Sequence, residues 1–384
     1  MPTVPRLLVA VTLVLAAAAA TAAQPGTAPG SRTRVESLKP QWSRPVGGAT
    51  RLVGVEEYGR CSVFVDKGAV QVLTPAGDVS WTWPFAKISK YIHPGEVAVS
   101  HECDAIAFVG DASYKYAWIV DRAGRSASIK FTATPADIEF DRTGKQVAIG
   151  TYAGSLFLYS INGELAWRRD TKSAIIQDLE FSDDNSRVLF KGWGGNGVVS
   201  VAGQVEWSML GSRMVASRDL MTFVFSDQPN HGPGLPHIAV ADGHQKVLWH
   251  RWADLDAYIS ATGSRVLAAV DRKQEKVEAD FFGDGPAAGA DIQLLTRDAE
   301  VVTTFSDYRA PIALSEDGTR VWLRGEDAID CVDERGGVLA SIARVPGYRG
   351  VTVTRDFGQV LIVIEKDLTP VAVERYVVPA PCKP

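Results

Sequence analysis

Short runs of alternating apolar and polar residues recur along almost the whole chain, separated by turns rich in Gly, Asp and Asn. No segment sustains a helical period. Alternation with a period of two predicts half-buried strands that each present one face to a core. The clearest unit, DIEFDRTGKQVAIGTYAGSLFLYSINGELAW from Asp137 to Trp167, divides into four strands with tight turns at RTG, YAG and ING. One spacing repeats in register: a Ser, Thr or Asp at the end of the first strand, followed six positions later by an apolar residue. The pairs are Ser100 with Ile106, Asp141 with Val147, Ser182 with Val188, Ser217 with Phe223, Ser260 with Val266, Ser315 with Val321 and Thr354 with Val360. A further copy, one residue longer, runs from Leu52 through Glu56 to Val63. The fourth strand of each unit closes on a bulky apolar residue: Trp81, Ile129, Trp167, Trp207, Trp249, Phe305 and Ile342. The last unit lacks such a strand, and the segment around Trp42, SLKPQWSRPVG, has the character of the missing one.

Four strands repeated every 40 or so residues predict an all-β, eight-bladed β-propeller with four antiparallel strands per blade, its ring closed by the N-terminal strand. Residues 35 to 379 shared among eight blades give about 43 each. Seven blades are the alternative and would make one in-register pair accidental. The repeat organises residues 35–384 into a single domain. Ahead of it, residues 1–23 carry Arg6, an apolar stretch from Leu7 to Ala20 and small residues suited to cleavage, the pattern of a Sec signal peptide. Residues 24–34 read as a flexible Pro/Gly-rich leader. No cysteine stands at the cleavage site, so the expectation is a periplasmic or secreted protein rather than a lipoprotein. No later window is apolar enough for a transmembrane segment in the mature chain.

The phrases SINGELAW, TPAGDVSW, VAGQVEW and DGHQKVLW resemble the closing strand of quinoprotein-like eight-bladed propellers, the PQQ-like repeat proteins. FDRTGKQVAIG and LSEDGTRVWLRG are similar to WD-repeat and related bacterial propeller units. The resemblance covers nearly the whole mature chain and implies the fold. The quinoprotein-like group includes quinone-dependent alcohol dehydrogenases, which pair a vicinal Cys-Cys with their quinone and hold calcium through Glu, Asn and Asp, and a periplasmic outer-membrane assembly lipoprotein. In this chain no two cysteines are adjacent.

Composition narrows the function classes. The 384 residues are 46% hydrophobic and 22% charged with a net charge of -5 and no clustered Lys/Arg run, which argues against nucleic acid as a partner. The 4 cysteines, in an exported chain, are disulfide candidates. Cys61 and Cys103 fall at equivalent turns of blades 1 and 2 and would face each other across the blade boundary. Cys331 in blade 7 and Cys382 in the tail would pin the C-terminus; four separate thiols are the other reading.

Candidate chemistry lies where a propeller's interblade loops gather around the mouth of the channel. Four residues before the motif Ser, Thr or Asp, blades 2 to 6 carry Glu96, Asp137, Asp178, Arg213 and Asp256, while Arg309, Arg349 and Arg51 stand close to that position in blades 7, 8 and 1. Such a mouth would be polarised, with carboxylates on one arc and guanidiniums on the other, and would suit a small polar ligand, a cation or a charged loop of a protein partner. Solvated rim charges without a partner are the plainer reading. The longest loops on the same face hold Trp193, His231, His237, Phe281 and Phe282 as contact residues. The histidine spacing matches no zinc motif, and no GxSxG elbow, HExxH or phosphate-binding loop is present. The expectation is a monomeric, non-catalytic scaffold that binds a protein or small polar ligand through its channel face, with no catalytic residue, metal or cofactor. The alternative is a periplasmic enzyme with its site at the mouth, either a hydrolase or a quinone-dependent oxidoreductase, calcium or a quinone entering only there.

Overall fold

A computed structural model describes residues 35, 37–46, 51–66, 68–84, 94–110, 115–209, 214–226, 237–271, 290–343, 348–366 and 369–383. The signal-peptide and leader expectations for residues 1–34 lie outside the described residues, as do Arg213, His231, Phe281 and Phe282. The alternating runs form antiparallel strands that pair with sequence neighbours, as blades of four, except where the first strand of the ring pairs with the last. Blade 1 spans Arg51–Pro84, blade 2 Pro94–Lys130, blade 3 Pro135–Asp170, blade 4 Ile175–Met209 and blade 7 Ala310–Ala343. Blades 5 and 6 share one long strand, Val247–Ile259, whose first half closes blade 5 and whose second half opens blade 6. Blade 8 takes three strands from the C-terminal end, and its fourth is Trp42–Pro45, which pairs antiparallel with Thr369–Val377. The ring therefore has eight blades and closes through its N-terminal strand.

The recurrent Ser, Thr or Asp has a local cause. It ends the innermost strand, and its side-chain oxygen accepts the backbone N–H five residues on: Ala105 on Ser100 at 2.9 Å, Gln146 on Asp141 at 3.0 Å and Arg187 on Ser182 at 3.0 Å, with Ser217, Ser260, Ser315 and Thr354 doing the same. In blade 1 the longer Glu56 carboxylate reaches the N–H groups of Tyr58 and Arg60 instead. All eight motif residues are buried, so the short polar side chain satisfies a donor that water cannot reach. The residue three positions on is left-handed in every blade: Gly59, Cys103, Gly144, Asn185, Leu220, Gly263, Gly318 and Phe357. This conformation is what a tight turn ending in a bulge requires, and glycine or asparagine adopts it most readily.

The tryptophans of the closing strands also bond between blades. The indole N–H of Trp42 donates to the carbonyl of Pro75, that of Trp81 to Cys103, that of Trp167 to Val201 and that of Trp249 to Arg297, each in the next blade around the ring. These indoles are half-buried, and the neighbouring blade supplies each N–H with an acceptor. Apolar clusters span successive blades, as with Val63, Trp83, Phe108 and Trp118 between blades 1 and 2, so no blade has a core of its own.

Cys61 and Cys103 form a disulfide across the blade 1 and 2 boundary, with their Cα atoms 6.2 Å apart. For a loop of that length the chain-entropy contribution is about 3 to 4 kcal/mol. The other candidate pair is corrected: Cys331 and Cys382 are free thiols, both buried in one apolar cluster. A hydrogen bond to Cys382 and burial hold the Cys331 thiol well above its ordinary range. Disulfide exchange needs a thiolate, which this environment disfavours.

Candidate functional site: the central channel

The innermost strands of blades 3 and 4 repeat one tetrapeptide, Asp137-Ile138-Glu139-Phe140 and Asp178-Leu179-Glu180-Phe181. A β-bulge precedes each aspartate and regular pairing follows it. With a period of two, Ile138, Phe140, Leu179 and Phe181 are buried between blades, while the four carboxylates share the opposite, channel-facing side. Glu139, Asp178 and Glu180 line a cavity of about 280 Å³ together with Val97 and Ala98 of blade 2, Glu57 and Arg142 from turns of blades 1 and 3, and Arg355 of blade 8.

The two blades differ in how these charges are balanced. In blade 4, Lys191 stands across the strand pair from Asp178, and its ammonium lies 2.7 Å from Asp178 and 3.5 Å from Glu180. Burial works against the Lys191 charge, but Glu180 and Asp178 outweigh it and hold its pKa above the ordinary value. Glu180 also meets Arg355 at 3.3 Å. In blade 3 the position equivalent to Lys191 is Gly150, which pairs with Asp137. A Cβ there would sit 2.4 Å from Cγ2 of Ile176, so packing between blades 3 and 4 excludes any side chain. The blade 3 carboxyls feel this lack. Burial, then the charges of Asp178 and Glu96, raise Asp137 to about 8 against the opposing pull of the Ile138 and Leu179 N–H groups. Burial first, then Glu57 and Asp137, push Glu139 well above the ordinary carboxylate range, only partly relieved by Arg355. Among the described residues Glu139 makes no hydrogen bond and no contact ion pair.

These shifts make stability fall as pH rises. The folded chain keeps protons on Asp137 and Glu139 that the unfolded chain releases near pH 4, so the stabilisation present below that pH is lost through about pH 8 for Asp137. The upper limit is about 1.4 kcal/mol per pH unit for each group, reduced by whatever water enters the channel. Glu139→Gln is therefore expected to flatten the fall in melting temperature between about pH 5 and about pH 8. Parallel melting curves for the two proteins across that range would show that Glu139 does not carry the effect.

The opposite end of the channel holds a network that lies away from the rim positions. The residue after each motif position points inward, and around the ring it reads Glu57, His101, Arg142, Asp183, Arg218, Ala261, Glu316 and Arg355. Arg142 pairs with Asp183 and, at 3.6 Å, with Glu57; Arg218 pairs with Glu316 and, at 3.7 Å, with Asp183; Arg355 meets Glu57 at 2.9 Å. The Tyr58 hydroxyl accepts from Arg142 at 3.0 Å and Arg218 at 2.8 Å, tying blade 1 to blades 3 and 5 across the ring. His101, edge-on to Tyr58, bonds Glu56 at 2.6 Å. Backbone bonds run alongside: the N–H groups of Asp183, Arg218 and Ala261 donate to Arg218, Ala261 and Glu316, and that of Arg355 to Glu57. The alternation of charge at this position was the available signal.

At the mouth, Glu96, Asp137 and Asp178 share one electrostatic neighbourhood, since the first and third both act on the second. Arg309 lies 3.0 Å from Glu326, so the guanidinium arc is at least partly self-paired. The side chains of Arg51, Asp256, Arg349 and His237 lie outside those described. Trp193 is 71% exposed at the mouth end of the second strand of blade 4, two residues beyond Lys191 and on the same side of that strand. Among the described residues no group of His, Cys, Asp and Glu has the geometry to hold a metal ion, and no helix is long and apolar enough to cross a membrane.

Eight four-stranded blades around a charged channel define an eight-bladed β-propeller. The solved structures that share this fold include BamB from Moraxella catarrhalis, with a TM-score of 0.58 over 90% of this chain and 99% of that one at 12% sequence identity. At that identity the likeness is one of fold alone. No protein-family model and no curated protein sequence matches the chain.

Proposed function

We propose that this protein is an exported binding scaffold whose mouth-side channel face receives a protein segment or small polar ligand. The observation that carries the reading is the asymmetry of the channel. One end is tied across by the Tyr58, Arg142 and Arg218 network, and a carboxylate-lined cavity runs from Glu57, Arg142 and Arg355 of that network up to Glu139, Glu180 and Asp178; the mouth end presents the exposed Trp193, on the same side of its strand as Lys191. A rigid ring with one end occupied by its own ion pairs offers the other for recognition. The apolar run from Leu7 to Ala20 and the Cys61–Cys103 disulfide support export. A photo-crosslinking residue at position 193, compared with one at the exposed Thr143 in a turn at the opposite end, tests the face in intact cells. Products from position 193 alone are expected. Equal products from both positions, or none from 193, would refute the assignment.

One observation favours a second reading, acid/base chemistry. Glu139, pushed well above the ordinary carboxylate range by burial, and Glu180, within ion-pair reach of Lys191 and Arg355, line a single cavity in unlike surroundings, and hydrolysis by paired carboxyls uses two carboxyls in unlike surroundings. Turnover of a glycoside or ester panel that disappears in both Glu139→Gln and Glu180→Gln would establish it, and inactivity of the wild-type protein across the panel would remove it.

A further inference from the structure

The two DxEF strands are neighbours with the same carboxylates at the same register, and they differ in one respect. Blade 4 brings its own ammonium, Lys191, to bridge Asp178 and Glu180. Blade 3 has Gly150 at that position and, because of Ile176, can have nothing larger. The neighbouring cations are already engaged: Arg355 with Glu57 and Glu180, Arg142 with Glu57 and Asp183, Lys191 with its own pair. Among the described residues Glu139 faces the cavity with no hydrogen-bond or ion-pair partner. A desolvated carboxyl with neither hydrogen bond nor counter-ion is costly, and an ammonium from outside the chain would remove that cost.

We infer that the channel cavity is a receptor for a primary ammonium group, which takes beside Glu139 the place that Lys191 takes beside Asp178 and Glu180. The inference rests on the mouth-face binding reading above and names its ligand class. Lys191 shows the required geometry within the same protein, an ammonium shared between the two carboxylates of one strand at 2.7 and 3.5 Å. A cavity of about 280 Å³ lies just below the range of roughly 300 to 1,000 Å³ typical of larger ligands, which suits an amine head and a short alkyl stem. The walls on the blade 2 side, Val97 and Ala98, are apolar and would contact that stem. The ammonium has two chemical sources, a free aliphatic diamine or the side chain of a lysine on a partner protein.

Binding carries a proton signature. Asp137 and Glu139 hold protons in the free protein because burial and the charges of Asp178, Glu96 and Glu57 disfavour their anions, with Arg355 the one cation opposing this at Glu139. An arriving ammonium stabilises the anions, so protons leave to solvent as it binds and affinity rises with pH. The test is calorimetric titration of the mature protein with 1,5-diaminopentane, and with a blocked lysine peptide beside its norleucine counterpart, in two buffers of different ionisation enthalpy. Expected are saturable binding, a heat that differs between buffers because protons are released, and affinity that increases from about pH 6 to about pH 8. Glu139→Gln should weaken binding about tenfold or more and Asp137→Asn should reduce the proton release, with both variants melting no lower than wild type. Binding of the diamine identifies a free amine as sufficient; binding of the lysine peptide alone identifies a partner's side chain. The inference is overturned if neither probe binds, if norleucine binds as well as lysine, or if Glu139→Gln binds like wild type. Loss of amine binding with mouth-face crosslinks intact would overturn the ligand class and leave the binding face standing; loss of both would remove the face as well.

Discussion

Removing residues up to Pro45 is expected to abolish the single cooperative unfolding transition of the ring. The strand Trp42–Pro45 is the only one that blade 8 takes from the N-terminal side, and it bonds to Thr369–Val377 from Trp42 opposite Arg375 to Pro45 opposite Ala372. It also reaches blade 1: Arg44 donates to Gln71 at 2.6 Å and lies over the Phe64 ring at 5.0 Å, and the Trp42 indole bonds Pro75. Behind it sit Phe64, Leu73, Leu361 and Val373, all essentially inaccessible. Truncation would uncover that cluster and leave Thr369–Val377 as an open edge, the arrangement that invites intermolecular pairing. A loss of about 5 kcal/mol or more is expected, comparable to the whole stability of many domains, with aggregation on heating. Trp42→Ala, which keeps the strand, should cost about 2 to 3 kcal/mol. Chemical denaturation measures both, and a truncated protein within about 1 kcal/mol of the full chain would show that the ring does not depend on this closure.

Arg142→Ala is expected to destabilise the protein by about 2 to 3 kcal/mol, because it deletes a guanidinium shared by several partners, while the carboxylates it leaves, Glu57 and Asp183, stay 35% and 44% exposed and keep part of their hydration. The guanidinium is 21% exposed and serves Glu57, Asp183 and Tyr58 at once. Its loss would strand two carboxylates from different blades, so the cost should fall when Asp183 is removed with it. Tyr58→Phe, which removes only the hydroxyl that accepts from Arg142 and Arg218, should cost about 1 to 2 kcal/mol. Urea unfolding of Arg142→Ala, Asp183→Ala and the double variant gives the coupling directly. Strict additivity of the two single effects would mean the pair is not coupled in solution.

Much of the fold was legible because it repeats. The motif residue, its partner six positions on and the closing tryptophan each answer a local requirement: a buried donor at a turn, a core position and an acceptor on the next blade. Local requirements recur in every blade, so they appear in register. The mouth carboxylates were legible for the same reason, as a position on the innermost strand. The glutamates two residues further on are hidden in the sequence, although DIEF and DLEF stand in consecutive blades, because Ala98, Val215, Tyr258, Ala313 and Thr352 occupy the same position elsewhere and break the pattern. The network at the far end escaped for a different reason. Pairs such as Arg218 with Glu316 and Arg355 with Glu180 join residues on blades far apart in sequence, and only a closed ring brings them together. The contrast between Lys191 and Gly150 is likewise invisible without register, and its meaning depends on Ile176 packing against the glycine.

At the centre of the account is a channel with two carboxyl groups to which no described residue brings a contact counter-ion. The most direct measurement is the pH titration of the side-chain carboxyl carbons of Asp137 and Glu139 by NMR in selectively labelled protein, with Asp137→Asn and Glu139→Gln to assign the signals. The account predicts that Asp137 titrates near pH 8 and Glu139 well above the ordinary carboxylate range, both moving down when an amine is bound. Titration of both groups near about pH 4 in the free protein would contradict it.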